Sequence, residues 1–563
     1  MLNLFLSASI FLCFATLFPV LAQLLPDSQA LVLNELEHLY LDNSGPGSIK
    51  STITPCTNYV DSTTGLNNNT LGRQTTAQWI RTAFHDFVTA DVAAGTGGID
   101  ASIGFETHRP ENVGAAFNDS LFVFAFSISA KASMADLIAL GTAMAIGTCG
   151  GPPIPLRGGR IDATVAGPSG VCQPETDLQT TLASFSSAGF NQADAIALTA
   201  CGHTMGGVHY STFPQIGRSL SIAVVTARVD ENVATVPASA VGPNNLGGRI
   251  AFDDTVANFD IDVVQQYLSG TGNRGGALVT TTNKTVQSDL RLYESDNNVT
   301  IKSLGQSPAH FASTCASLIS RMINTVPRGV SLTPAIDPRA LKHANVTLNV
   351  DWSGHMTLSG FFRYIDIAGS PPAPNSFTVS LIARNGLVSS ITTNAVGDLT
   401  TDTGNGVYGP TFQYPFTLDF PATTGLSGIA VGGQEFPLQD SLFVAPTLSS
   451  IEPGLAEYNI LDPTHLFTFN ITAALLSSHP PATLKVTFAI PVPQPGNMSP
   501  RIDYSTTAEL FLIGQAGPFA LFSAIIEQNM TSLQLFGASV DIEDESTGTV
   551  AMFFRLFSIL QFF

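Results

Sequence analysis

Charge is scarce in this sequence, and positive charge is scarcer still. Only 12% of the 563 residues are charged, about half the ~25% of an ordinary soluble chain. Lysine and arginine number 23 against 43 aspartates and glutamates, a formal net charge of −20. That balance excludes nucleic acid and anionic membrane surfaces as partners, because both would repel it. Disorder is excluded too, since 44% of the residues are hydrophobic and a chain that apolar collapses. Tryptophan is almost missing, limited to Trp79 and Trp352. At roughly 150 residues per domain, the length allows two to four domains with proper cores. With so few charges, something else must keep the surface soluble.

The first segment, Met1 to Gln23, is apolar, carries no charged side chain and ends in small residues around Val20-Leu21-Ala22. It is expected to be a secretory signal peptide, residues 1–22, cleaved after Ala22. A membrane anchor is the alternative, but no basic stop-transfer cluster follows. Eight Asn-x-Ser/Thr sequons occur, at Asn68, Asn118, Asn283, Asn298, Asn345, Asn470, Asn497 and Asn529. Glycans there would supply the polar cover that charges do not. Removing Cys13 with the signal leaves five cysteines, Cys56, Cys149, Cys172, Cys201 and Cys315. At most two bridges form, which suits an oxidising compartment and leaves one thiol over.

Residues 23–340 mix helical periodicity with glycine-rich loops. Ala77, Ile80, Phe84 and Val88 fall on one helical face that Thr75 or Thr76 is expected to cap. A second apolar helix runs through Ser133–Leu140, and Asn191 caps a third that leads to His203 and stops at Gly206-Gly207. Another spans about 308–325. From about Leu341 the texture changes to Thr, Val, Ser and Phe with alternation and turns, so residues 341–563 are expected to form an all-β, sandwich-like domain. Met356–Arg363 faintly echoes Val550–Arg555. The apolar end, 550–563, reads as a final strand, with a lipid-anchor signal as the alternative.

Five stretches carry candidate chemistry. Arg81 and His85 lie at i, i+4 on one helical face, a permanent cation beside a group that titrates near neutrality. Alone, such a pair is usually surface decoration. His203, among small apolar residues in Ala200–Gly207, is either a satisfied core histidine or a metal ligand beneath a flat cofactor. Asp86 with Gly98, Asp100 and Ser102 forms a hard-oxygen set suited to calcium. Asp253, Thr255, Asn258 and Asp260 form another that Thr204 would join. Asp289, in Gln287-Ser288-Asp289, is placed to orient a ligating imidazole.

Together these stretches resemble the plant and fungal (non-animal) haem peroxidase superfamily, most closely its secreted fungal members, over about residues 50–330. The resemblance rests on Arg81-x-x-Phe84-His85-Asp86, Gly98-x-Asp100-x-Ser102, Pro110–Gly114 with Asn112, Ser133–Leu140 with Gly150–Asp162, and Gly202-His203-Thr204. It implies a mainly α haem-peroxidase domain followed by the all-β domain, with haem b and two calcium ions as cofactors. His203 would ligate the iron and Asp289 would accept its other N–H. His85 would move the peroxide proton, Arg81 would stabilise the separating charge, and Asn112 would hold the His85 tautomer. Two one-electron donors would then discharge a ferryl intermediate. Phe84 and Phe252 stand where intracellular relatives commonly place Trp, which agrees with secreted forms. Asp86, Gly98, Asp100 and Ser102 would bind one calcium, and Thr204, Asp253, Thr255, Asn258 and Asp260 the second. By the same match Cys56 would pair with Cys149, whereas Cys172 with Cys201 or Cys315 stays undetermined.

The departures are informative. Gln74, Gln78 and His209 stand where manganese-oxidising members carry acids, and Leu198 where some ligninolytic members carry a surface Trp. A manganese site and long-range oxidation of lignin are therefore not expected. The expected partners are hydrogen peroxide and small phenolic or aromatic reductants acting on a monomer, with the C-terminal domain contacting cell-wall polysaccharide. The competing reading is a haem-binding or wall-associated protein whose peroxidase part is residual. A calcium-dependent carbohydrate-binding protein without haem is a third.

Overall fold

The computed structural model describes residues 27–42, 49–54, 56, 74–209, 249–366, 371–397, 407–453, 464–476 and 483–560. The expected signal peptide and the Asn68 sequon lie outside the described residues. Up to residue 340 the described chain is helical, with one short ribbon pairing β1 (Gly207–His209) and β2 (Arg249–Ala251).

Helix α1 (Asp27–Glu37) opens the fold, and α2 (Thr75–Phe87) carries the first motif. The N-cap of α2 is Gln74, which makes no side-chain cap, so neither Thr75 nor Thr76 plays the expected part. Both threonines are instead buried inside the first turn. Trp79, Ala83 and Phe87 give α2 a fully buried face. That face packs on α3 (Ala116–Ala125) and α4 (Met134–Thr148). The approach is close because residue 141 is glycine: a Cβ there would collide with Phe124 and come within 3.2 Å of Trp79.

Helix α4 is apolar on every side, as a helix at the centre of a core must be. The Ser133 hydroxyl accepts the Asp136 N–H to cap it. The Asp162 carboxylate takes the Met134 and Ala135 N–H groups, a second acceptor at the positive helix end. Asp136 pairs with Arg160 at 2.9 Å, both buried, and Arg160 also donates to the Ile323 carbonyl. This pins the 150–162 loop between two helices.

Helix α5 (Leu178–Ser187) precedes α6 (Gln192–Gly202), which begins with a capping box of Asn191 and Asp194. The helix stops at Gly202, four residues before the expected Gly206-Gly207, so His203 stands at the C-cap. Helices α7 (Asp262–Ser269), α8 (Ser288–Glu294), α9 (Val299–Leu304) and α10 (Pro308–Ile323) complete the helical part. Cys56 bonds Cys149, with Cα atoms 5.8 Å apart. Cys201 bonds Cys315 and ties α6 to α10, which leaves Cys172 as the free thiol among the described cysteines.

Strands begin at Leu341, but they enclose two cores rather than one. In the first, β3 (Leu341–Val350), β4 (His355–Ile365) and β7 (Thr411–Pro421) form one sheet. A second sheet, β6-β5-β8-β9, contains β5 (Ser376–Ile382), β6 (Val388–Val396), β8 (Gly428–Val431) and β9 (Gln434–Pro437). Leu358, Phe362, Val379, Tyr414 and Ile429 share the core belonging to these strands.

The second core lies against a nine-stranded sheet. Its strands are β10 (Leu442–Val444), β11 (Ser450–Glu452), β12 (His465–Leu476), β13 (Leu484–Gln494), β14 (Asn497–Asp503), β15 (Thr507–Ala516), β16 (Phe519–Met530), β17 (Ser539–Asp544) and β18 (Thr549–Arg555). The apolar end thus forms strand β18 and a short helix, Phe557–Leu560, with Leu556 and Ile559 buried in this core.

The β region is joined firmly to the helical part. Glu37 on α1 pairs with Lys342 and with the fully buried Arg363, each at 2.8 Å. Glu35, also on α1, pairs with Arg555. The two echoing segments, ending at Arg363 and Arg555, lie in different sheets yet grip the same helix. Strand β14 packs on α3 and on the 102–105 turn, where a Cβ on Gly104 would collide with Asn497. Among the described residues, no helix is long and apolar enough to cross a membrane.

Glu37→Ala leaves the Arg363 guanidinium buried without its carboxylate. The expected cost is about 3 kcal/mol, read as a lower denaturation midpoint. An unchanged midpoint would show that α1 does not fasten the β region.

Candidate active site

The C-terminal half of α2 and the end of α6 face each other across a cavity of about 470 Å³. Arg81, Phe84 and His85 line it from α2, and His203, Phe252 and Asp289 line the other side. The i, i+4 spacing of Arg81 and His85 puts both on the cavity face, with Arg81 Nε donating to His85 Nε2 at 3.4 Å.

The hydrogen bonds assign the His85 tautomer. Asn112, 1% exposed in the 110–112 turn, donates through Nδ2 to the Glu106 carbonyl at 3.0 Å. Its Oδ1 is therefore an acceptor, and it stands 2.8 Å from His85 Nδ1. The ring proton sits on Nδ1, and the Nε2 lone pair faces the cavity. Burial, then the Arg81 charge, lowers the His85 pKa to about 3, so the ring is neutral at ordinary pH. Burial lowers the Arg81 pKa only to about 10, so the guanidinium stays protonated.

On the opposite wall His203 Nδ1 lies 2.6 Å from Asp289 Oδ2, while Ser288 Oγ donates to Asp289 Oδ1 at 3.0 Å. Phe252 stacks on the His203 ring at 4.2 Å and 5°. With Nδ1 turned to the carboxylate, His203 offers Nε2 to a ligand. The site thus brings together Arg81, Phe84, His85, Asn112, His203, Phe252 and Asp289.

Two contributors carry no sequence motif. Phe117 on α3 packs 4.8 Å from the His85 ring and lies 4.8 Å beneath the Arg81 guanidinium, which fixes both. Glu106 serves through its backbone carbonyl; its buried carboxylate takes the Gly167 N–H at 2.7 Å. Nothing in the sequence marked either Phe117, which is separated from the apolar run of α3 by Asn118-Asp119-Ser120, or Glu106.

Gln74 and Gln78 also border the cavity. Gln74 Nε2 donates to the Cys56 and Val256 carbonyls, and Gln78 Nε2 to Asp119 at 2.8 Å. His209 and Leu198 border the same space.

The chemistry of this donor set fits haem. The cavity is walled by apolar and aromatic side chains, and one imidazole with a free Nε2 and a carboxylate behind it supplies an axial ligand.

The hard-oxygen sets are assembled as well. Asp86 accepts N–H groups from Asp100, Ala101 and Ile103, and Asp100 accepts from Ser102. Burial, then Asp100, holds the Asp86 carboxyl well above its usual range, which a cation would reverse. No contact to Gly98 bears on the set except its position in the same turn. On the other side Thr204 Oγ1 donates to the Asp260 carbonyl at 2.7 Å, and Thr255 Oγ1 to Asp260 Oδ1 at 3.0 Å. Asp253 Oδ2 is buried with no partner, and burial, then Asp260, raises that carboxyl to about 7. Such an orphaned oxygen fits a hard cation. Asn258 is exposed and makes no side-chain bond to the cluster. Among the described residues, no three His, Cys, Asp or Glu side chains are grouped to hold a metal. Calcium here would rest on two carboxylates with hydroxyl and carbonyl oxygens.

Residues 62–305 match the family model described as Peroxidase. A WSC domain-containing protein of Arthroderma benhamiae is 37% identical over 414 residues, covering 72% of this chain and 52% of that protein. The peroxisomal L-ascorbate peroxidase 5 of Arabidopsis thaliana is 36% identical over 135 residues, 23% of this chain and 47% of that protein. The chain thus spans about half the length of these curated relatives. Its helical part is similar to peroxidase domains, and the first relative aligns well beyond the matched residues.

His203→Ala, produced with ample haem, is expected to lose the absorption band near 400 nm in its ligated form and to recover it with added imidazole. An unaltered spectrum would remove His203 as the axial ligand.

Proposed function

We propose that this protein is a secreted haem peroxidase that reduces hydrogen peroxide and oxidises small phenolic or aromatic donors one electron at a time. The observation that carries this reading is the facing pair of imidazoles with fixed tautomers, His85 held by Asn112 and His203 by Asp289. His203 would hold haem, which would supply the redox chemistry that consumes peroxide and draws one electron from each donor.

The side chains account for the proton and charge movements. Neutral His85 takes a proton from the peroxide oxygen nearest the cavity floor through Nε2. It returns that proton to the other oxygen, which leaves as water. Arg81, charged and fixed by Phe117, stabilises the negative charge that develops as the O–O bond separates. Asn112 keeps His85 Nε2 unprotonated between turnovers. Asp289 draws on the His203 Nδ1 proton and gives that ring anionic character.

Secretion is supported by the apolar leader, by two disulfides among the described cysteines and by the sequons. The donor reading rests on a cavity walled by aromatic and aliphatic groups and lacking a manganese-binding acid at positions 74 and 78. The name of the Arabidopsis relative makes ascorbate the donor to compare. Calcium is proposed at Thr204, Asp253, Thr255 and Asp260, and at Asp86, Asp100 and Ser102.

His85→Leu is expected to slow reduction of hydrogen peroxide about 10³-fold while the haem spectrum persists. A wild-type rate would take the proton transfer away from His85. Chelation of calcium should lower the thermal midpoint, with recovery on re-addition, and Asp253→Asn should blunt that response. A midpoint indifferent to both would overturn the calcium assignment.

A further inference from the structure

The outer face of the nine-stranded sheet presents apolar side chains to solvent. Along β12, Phe467, Phe469 and Ile471 point into the core, so Leu466, Thr468 and Asn470 point outward. Along β16, Phe522, Ala524 and Ile526 point inward, so Ser523, Ile525, Glu527 and Asn529 share the outer face. Leu466 is 51% exposed, Ile525 74% and Phe511 on neighbouring β15 68%. Such a face invites association between sheets.

The strand register places two sequons on it. Leu466 pairs directly with Asn529, and Ile525 directly with Asn470. Directly opposed side chains in a sheet have Cβ atoms about 5 Å apart. Phe511 pairs with Ser523, whose hydroxyl donates to Asn470 Oδ1 at 2.6 Å. That bond occupies the carbonyl end of the Asn470 amide and leaves Nδ2 for a different bond. Asn529 is itself exposed. Other sequons are placed differently: Asn118 Oδ1 is buried on α3, and Asn497 lies against Gly104 beneath the helical part.

We propose that Asn470 and Asn529 carry N-linked oligosaccharides that lie over Leu466, Ile525 and Phe511. The inference rests on the secretion reading. In the modification, Nδ2 loses one proton and bonds the anomeric carbon of an oligosaccharide held on a lipid diphosphate. The glycosyl–phosphate bond breaks, and the diphosphate leaves with the bonding electrons. Sugar C–H faces then remove the aliphatic side chains from water, while the hydroxyls face outward. Asn118 and Asn497 stay bare, because Asn118 Oδ1 is buried on α3 and Asn497 is packed against Gly104.

The full chain, secreted from a eukaryotic host, is deglycosylated by an amidase in heavy-oxygen water and mapped by peptide mass spectrometry. Labelled aspartate is expected at 470 and 529, and unmodified asparagine at 118 and 497. Asn470→Gln/Asn529→Gln should bind a hydrophobic dye several-fold more strongly and self-associate, and adding Leu466→Thr and Ile525→Thr should reverse both. Bare Asn470 and Asn529 beside an occupied Asn345 would overturn the proposal and leave secretion standing. A protein bare at every sequon and retained in the cell would overturn both. Occupied sites with dye binding unchanged in the glycan-free variant would overturn the covering role.

Discussion

A buried imidazole must have both ring nitrogens assigned, and this constraint organises the centre of the molecule. His85 and His203 each have Nδ1 committed to an oxygen; His203 Nε2 is left to the cavity, and His85 Nε2 meets only the long 3.4 Å contact from Arg81 Nε there. The commitments reach outward. Asn112 is turned to accept from His85 because its amide nitrogen donates to the Glu106 carbonyl, and Glu106 is held by Gly167 and Arg109. Asp289 is held by Ser288 at the start of its helix. The opposed chemistry of the two histidines, one a mobile base and one a fixed ligand, follows from what stands behind each ring.

The helical part was legible in the sequence to the extent that its signals are local. Helical spacing placed Arg81 and His85 on one face, and Asn191 announced its helix through capping chemistry. Asp289 lies 86 residues from His203, and only family resemblance could join them. The Glu106 carbonyl left no trace, because any residue supplies a carbonyl. Phe117 was hidden because it stands before Asn118-Asp119-Ser120 with no motif of its own, and only the packing of α3 on α2 brings it to the site. The pairing of Cys201 with Cys315 depends on how α6 meets α10, which spacing does not encode.

Past residue 340, alternation identified strands correctly but not their partition into two cores. A period of two says which face of a strand is apolar, not which sheet it joins. The tip of the β15–β16 hairpin illustrates the difficulty. Ala516, Phe519 and Leu521 enter the first core, while Phe522 and Ile526 of the same strand belong to the second. The boundary between the cores thus falls within a strand, where no turn or composition shift marks it.

Helix α1 is bound by two strands that follow it far along the chain. Glu37 and Arg363 are 326 positions apart, and Glu35 and Arg555 are 520 apart. Neither acid finds its guanidinium until those later strands have emerged. Closure of such distant contacts is slow, and during synthesis at about 5–20 residues per second the acidic side of α1 waits exposed. The helical part therefore passes its earliest life without its last fastening. The order of synthesis thus sets a delay between forming the helical part and fastening α1 to the β region.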